Sequence, residues 1–303
     1  MEKQNLFSRF LQNYLSNKDI RNFKGNIFYY IFYRIVRHFL SGNIKIKICN
    51  FFINASSNKN NMSSSLLHKC YFGDEKILAV IKKISDYKKV FLLDCGSNYG
   101  FYSFYVASLS LNNQVLALEA SPKTFNAFKA NLELNNFGNI DYRNFAIDEI
   151  SGRFVTFYES LNDWESSVTH NNFKNNKKVI VETTTIDKEL LSKNLINFVV
   201  IIKLDVEGNE FNAIQGGLNT ILKYEPLIII ELSKHNLNNK IYNFDYFKDF
   251  LNDSNYKIYN DKLVLFNIET LIDMINNLDN SHQTIGNYFL IKDSSFVYNR
   301  LLN

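Results

Sequence analysis

The chain has 303 residues, 46% of them hydrophobic and 21% charged, with a net charge of +4. That is enough for one large domain or an ordinary domain with an extension, and it excludes wholesale disorder. Three cysteines without CxxC spacing speak against a disulfide framework or a zinc site and suit a reducing cytoplasm, while the start lacks the layout of a signal peptide and no apolar run predicts a membrane span.

Residues 1–88 predict a basic helical N-terminal extension. Residues 1–89 carry 16 Lys/Arg against 5 Asp/Glu, whereas residues 90–303 carry 18 against 25. A basic front end on an acidic body suits an anionic partner: phosphorylated lipid, a membrane surface, acidic glycan or nucleic acid. The plain alternative is a solvated basic helical face. The aromatic-rich stretch Asn26–Leu40, with Arg34, Arg37 and His38 in its second half, is read as packing on the main domain in preference to lying in a membrane interface. The expected location is therefore cytoplasmic, with a peripheral position at the inner membrane face as the alternative. Asn54–Ser65 reads as a polar linker, and Glu75–Ile84 as an amphipathic helix.

From residue 89 the pattern alternates between strands and helices. Val90–Asp94 is a short apolar strand, Phe101–Leu111 a helix, Val115–Glu119 a strand, and Lys123–Asn135 a helix with Pro122 at its first turn. Ile140–Ala146 is a third strand. The rhythm then breaks at an insert, about residues 151–185, where Gly152–Tyr158 and Val179–Thr185 predict a β-hairpin or flap. Asp187–Asn194 is helical, Val199–Asp205 a strand, Glu210–Leu222 a helix and Leu227–Glu231 a strand. Tyr246–Asn252 is helical, and Tyr256–Tyr259 and Tyr288–Ile291 finish as strands. Serial βα units demand an α/β fold with a mostly parallel sheet and helices on both faces.

Ligands of such sheets bind beyond the carboxyl ends of the strands. Asp94, Glu119, Asp205 and Glu231 all end strands, and four carboxylates on one rim point to a polar ligand. Gly96 and Gly100 flank the turn after the first strand, where backbone can approach a ligand closely. Asn98 stands where a dinucleotide loop needs its second glycine. A pyrophosphate is therefore disfavoured, and Glu119 is placed to accept hydrogen bonds from a ribose diol. Lys203 and Asp205 leave the same face of an otherwise apolar strand, so Lys203 is expected to pair with Asp205 or Glu231 and to shape the substrate side of the pocket. Helix capping by the acids and a lysine that snorkels to the rim are the plainer readings.

The segment "DCGSNYG" (Asp94–Gly100) resembles the D-x-G-x-N-x-G loop of class I S-adenosylmethionine-dependent methyltransferases, and "VLALEASPKTFNAFKANLELNN" resembles that fold's second motif. "IIKLDVEGNEFNAIQGG" and "PLIIIEL" resemble segments of the FkbM-type family of these enzymes. The resemblance runs from Val90 to Ser233, about half the chain. It implies a Rossmann-like class I methyltransferase fold for residues 89–303, with a seven-stranded sheet. It also implies S-adenosyl-L-methionine as cofactor: Asp94, Gly96, Asn98 and Gly100 around its methionine part, Glu119 at the ribose, Ala120, Asn144 and Ala146 at the adenine, and Asp205 near the sulfonium.

Methyl transfer to a hydroxyl needs an aligned acceptor and a place for its proton. Asp205, Glu207, Glu231 and His235 are the candidate bases. A divalent cation on Asp205 and Glu207 is the less favoured reading, and no metal site is expected. Asp163–Ser167 in the insert is a candidate cover, within which Trp164 stacks on a sugar or fills a core. The resemblance implies O-methylation of a carbohydrate or other small-metabolite hydroxyl, such as a cell-surface glycan or natural-product precursor, and nucleic acid is disfavoured. The alternatives are a glycosyltransferase using Asp205-Val206-Glu207 as an acid-x-acid site, a Rossmann-type oxidoreductase, and a non-catalytic binding protein.

Overall fold

The computed structural model describes residues 13–14, 18–36, 43–56, 74–159, 177–233, 243–277 and 284–302. After a 3₁₀ turn at Ile20–Phe23 come α1 (Ile27–Val36), β1 (Asn43–Ile48), β2 (Phe51–Ser56) and α2 (Glu75–Ser85). The alternating part follows with β3 (Val90–Cys95), α3 (Phe101–Leu109), β4 (Gln114–Leu118), α4 (Pro122–Leu132) and β5 (Ile140–Arg143). Next are β6 (Ala146–Ile147), β7 (Phe154–Glu159), β8 (Lys177–Thr184), α5 (Ile186–Leu190), β9 (Val199–Leu204), α6 (Glu210–Gln215), α7 (Leu218–Tyr224) and β10 (Leu227–Ser233). The chain ends with α8 (Phe244–Asp253), β11 (Tyr256–Tyr259), α9 (Ile268–Asn277), β12 (Thr284–Lys292) and α10 (Phe296–Leu301).

Seven strands form one sheet in the order β11-β12-β10-β9-β3-β4-β5, and only β12 runs against the rest. This is the Rossmann-like class I methyltransferase sheet that the sequence leads one to expect. Its central strands are apolar throughout because both faces are covered. Val90, Leu92, Val199, Ile201, Leu227 and Ile229 join one core. Their neighbours Phe91, Leu93, Val200, Ile202, Ile228 and Ile230 join the other, under α6 and α8.

The extension expected to be helical also contains a hairpin. β1 and β2 pair antiparallel, and Ile44, Ile46, Ile48, Phe51 and Ile53 are buried in the first core. Phe51 packs edge-on against Phe101 and Phe104 of α3. The outer edge of β2 is paired by asparagines: Asn135 Oδ1 accepts from the Phe52 N–H at 2.8 Å, and Asn131 Oδ1 from the Asn54 N–H at 2.9 Å. Satisfying an edge with side chains removes its capacity to recruit another strand.

Three further expectations change. The helix expected over Glu210–Leu222 is two, broken at Gly216-Gly217, where a Cβ on Gly216 would lie 2.4 Å from the Asp148 carbonyl oxygen and one on Gly217 2.8 Å from Ile186. The strand expected over Ile140–Ala146 divides. β5 stays in the main sheet, while β6 leaves it to pair parallel with β8, which pairs antiparallel with β7 in the insert. The helices α9 and α10 were not anticipated. His235, Trp164 and the rest of Asp163–Ser167, and Arg37 and His38, lie outside the described residues. No helix among the described residues is long and apolar enough to cross a membrane.

Candidate functional site

The carboxyl ends of β3, β4 and β9 open on a cleft. Gly96, Asn98, Glu119, Ala120, Ala146, Asp205 and Glu207 line it, together with the apolar Phe145, Ile147 and Phe157. Gly96 is required twice over. Its φ is +78°, and a Cβ there would stand 1.9 Å from the carbonyl oxygen of Asp205. Gly100, φ +90°, has no room either: its Cβ would meet Phe104 at 2.5 Å and Phe128 at 2.9 Å. Asn98 (φ 49°) and Glu207 (φ 54°) also sit in the left-handed region. Such conformations persist where surrounding contacts enforce them.

Those contacts can be named. Glu119 accepts from the backbone N–H of Asn98 at 2.8 Å and of Ser121 at 2.9 Å, so one carboxylate fixes both the glycine loop and the start of α4. Burial pushes its pKa up to about 7 in spite of those two donors. Asn144, at the point where the chain leaves the main sheet, donates to the carbonyl oxygens of Glu119 and Ala120 at 2.7 and 2.9 Å. It shapes the wall and is not among the lining residues. Glu210 accepts from the N–H groups of Val206 and Gly208 and so clamps the loop that carries Glu207. Glu159 of the insert accepts from Ser121 Oγ and from the Lys123 N–H, which holds Phe157 over the cleft.

A second group lies where the face shared with the extension reaches the same rim. Strand alternation sends Asp94, Lys203, Asp205 and Glu231 to that face. Asp94 is 1% exposed and Lys203 3%; they are register partners across β3 and β9. Lys203 Nζ lies 2.7 Å from Asp205 Oδ2 and above the Tyr102 ring, 4.8 Å from its centre. Burial would lower the lysine's pKa, but Asp205 and Asp94 outweigh it and hold the ammonium charged. Burial would raise Asp205; Lys203 and a hydrogen bond from Glu231 keep it below the usual carboxylate range. The Asp205 charge, and then burial, push Glu231 well above its ordinary value. The two carboxyls therefore resist ionising together and titrate as a pair.

Sequence reasoning missed five contributors: Asp74, Tyr102, Asn287, Ser103 and Asn131. Asp74 accepts from the Tyr102 hydroxyl at 2.8 Å and from Asn287 Nδ2 at 3.3 Å. Ser103 Oγ donates to Asp94 Oδ2 at 2.6 Å. Asn131 carries its N–H to the Tyr99 carbonyl at 3.0 Å while its Oδ1 holds β2, so the extension touches the glycine loop through one amide. Only Asn131 falls within a motif stretch, which gives it no role of its own; the helical spacing of Tyr102 and Ser103 after Gly100 hinted that α3 faces the acids. Among the described residues, no three His, Cys, Asp or Glu side chains group as a metal site.

A family model described as the methyltransferase FkbM domain matches residues 94–258, from the strand-end Asp94 past β10. The chain belongs to the FkbM methyltransferase family. Methyltransferase 1 of Beauveria bassiana (strain ARSEF 2860) is 27% identical over 145 residues, which cover 42% of this chain and 57% of that protein's length. Among solved structures, Methyltransferase FkbM from Methylobacillus flagellatus KT is similar over 75% of this FkbM-family chain and 52% of its own, at 13% identity and a TM-score of 0.38. The plantazolicin methyltransferase BpumL, solved with SAH, is similar over 76% of this chain and 88% of its own, at 16% identity and a TM-score of 0.38. Both structural likenesses are distant.

Proposed function

We propose that the chain is an S-adenosyl-L-methionine-dependent methyltransferase acting on a hydroxyl of a carbohydrate or other small metabolite. The observation that carries this reading is the lining of the cleft: three acidic side chains, Glu119, Asp205 and Glu207, and, among the described residues, no lysine or arginine. A cationic nucleoside suits that potential and a phosphate chain does not.

The residues present fit this cofactor. Asn98 Oδ1, Asp94 Oδ1 and Ser97 Oγ are buried without a hydrogen-bond partner, a cost a protein sustains where a ligand supplies the missing donor or acceptor. They stand by Gly96, where the methionine ammonium would meet acceptors. Glu119 would take the ribose hydroxyls, and Ala120, Phe145, Ala146, Ile147 and Phe157 offer an apolar slot for the base. When bound, S-adenosylmethionine supplies an electrophilic methyl group on a positive sulfur.

The chain's own part is alignment and proton traffic. Asp205 lies at the junction between the cleft and the buried group. Its carboxylate, kept ionised by Lys203, would receive the acceptor's proton. A carboxylate of lowered pKa is sufficient, because an oxygen that is gaining a methyl group becomes a strong acid as it does so. Glu231, whose carboxyl the Asp205 charge and burial push above its ordinary range, would steady that charge. The acid-x-acid glycosyltransferase reading is less well supported, since Lys203 already engages Asp205 at 2.7 Å.

Calorimetry tests the donor. Titration with S-adenosylmethionine and S-adenosylhomocysteine is expected to show saturable binding, and titration with NAD or UDP-glucose none. Binding of either phosphate-bearing ligand without the other pair would overturn the reading. Incubation with methyl-labelled cofactor and separate pools of small metabolites and cell-surface glycans is expected to label one of them.

A further inference from the structure

A second cleft is lined by Glu231, the neighbour of Asp205. Asp74, Lys76, Glu231, Asn260, Asp261 and Asn287 are among its walls. Asp205 lines the first cleft and Glu231 the second, and the Asp205 charge acts directly on Glu231. Each space is thus bordered by one member of this carboxyl pair.

Asp74 is the informative residue. It occupies the position before α2 where an aspartate ordinarily caps its own helix, a contact that stabilises by about 1 kcal/mol. Its side chain makes no such bond. It turns across the cleft instead, to the Tyr102 hydroxyl and the Asn287 amide, and Asn287 is the register partner of Glu231 across β10 and β12. Tyr102 in turn lies beneath the Lys203 ammonium. A carboxylate from the extension is thereby fixed opposite the reacting pair by two neutral donors. Among the described residues that line this wall the one lysine, Lys76, is ion-paired with Asp261.

We infer that this second cleft receives the methyl acceptor, that the acceptor is a polyhydroxylated molecule that is uncharged or bears an amine, and that Asp74 is the residue that refuses an anionic one. The inference rests on the methyltransferase reading above. Carboxylates and amide oxygens accept from hydroxyl and ammonium donors, while a carboxylate or phosphate brought to the same wall meets like charge.

The test uses the full-length protein saturated with S-adenosylhomocysteine and three probes built on one ring: glucose, glucosamine and glucuronate. Saturation-transfer NMR and calorimetry are expected to find glucosamine and glucose bound, and glucuronate at least about tenfold weaker. Asp74→Asn is expected to bring glucuronate to within a few-fold of glucosamine while the S-adenosylhomocysteine affinity stays as in the parent protein. Asp261→Asn, on the exposed side of the cleft, frees Lys76 and is expected to strengthen glucuronate binding even if Asp74→Asn does not fold. Glucuronate bound as tightly as glucosamine, none of the three sugars bound, or a discrimination unmoved by both substitutions would overturn the inference. Failure of S-adenosylhomocysteine itself to bind would overturn the donor assignment first, and this inference with it; that result is read before any sugar is added.

Discussion

The span from Asp94 to Ser233 and the extension before residue 89 make a useful contrast. In the first, residue identity is dictated by chemistry: only glycine fits against the Asp205 carbonyl, and only an acid can hold the Asn98 and Ser121 N–H groups together. In the second, residues are chosen for volume and periodicity, which many sequences satisfy. Yet the extension is no appendage. It covers one face of the sheet, holds the glycine loop through Asn131, and places Asp74 on the Tyr102 hydroxyl beneath Lys203. Recognisability and structural importance are therefore separate properties of a chain.

Two substitutions of about equal expected cost would break this comparison if they differ. Phe51→Ala empties a fully buried site between the hairpin and α3 and should cost about 3–5 kcal/mol. Urea denaturation should show one transition for the whole chain, shifted to lower denaturant; an unchanged main transition would mean that the hairpin melts apart from the sheet. Lys203→Met removes the counter-charge of Asp94 and Asp205 and should also cost about 3–5 kcal/mol by the same measurement.

Glu119 sharpens the contrast at smaller scale. Glu119→Ala should weaken S-adenosylmethionine binding by about 1–3 kcal/mol in calorimetry. In the parent protein, burial raises this carboxyl from an ordinary 4.5 to about 7. An acid raised in this way contributes stability that is full below pH 4.5 and lost as the pH rises through about 7. Ribose hydroxyls favour the ionised form, so cofactor affinity should run the other way, rising as pH passes upward through about 7, with proton release on binding just below it. Calorimetry in buffers of different ionisation enthalpy measures that release. The smallest effect belongs to the exposed Lys82–Asp86 pair of α2: Lys82→Ala should change stability by no more than about 0.5 kcal/mol, and that should vanish in high salt.

Much of the sheet was legible because buried strands leave continuous apolar runs, and the rim acids were legible because carboxylates at strand ends need a reason. The hairpin β1–β2 was legible in principle: Ile44, Ile46 and Ile48 alternate with Lys45 and Lys47, a period-two pattern obscured by the helical reading of its surroundings. The break at Gly216-Gly217 was not, because it answers to Asp148 and Ile186, residues distant in sequence. Asp74, Tyr102 and Asn287 were not either. Their roles exist only where three elements converge, and no local spacing encodes that convergence.

The fit of Gly96 against the Asp205 carbonyl has a mechanical implication. Two loops separated by more than a hundred positions along the chain touch main chain to main chain, with no side chain between them to yield. Neither can be displaced without pushing the other, so the Gly96 loop and the Asp205 loop move as one rigid jaw. Any adjustment that admits a bulkier acceptor must come from the opposite wall, where the extension sits.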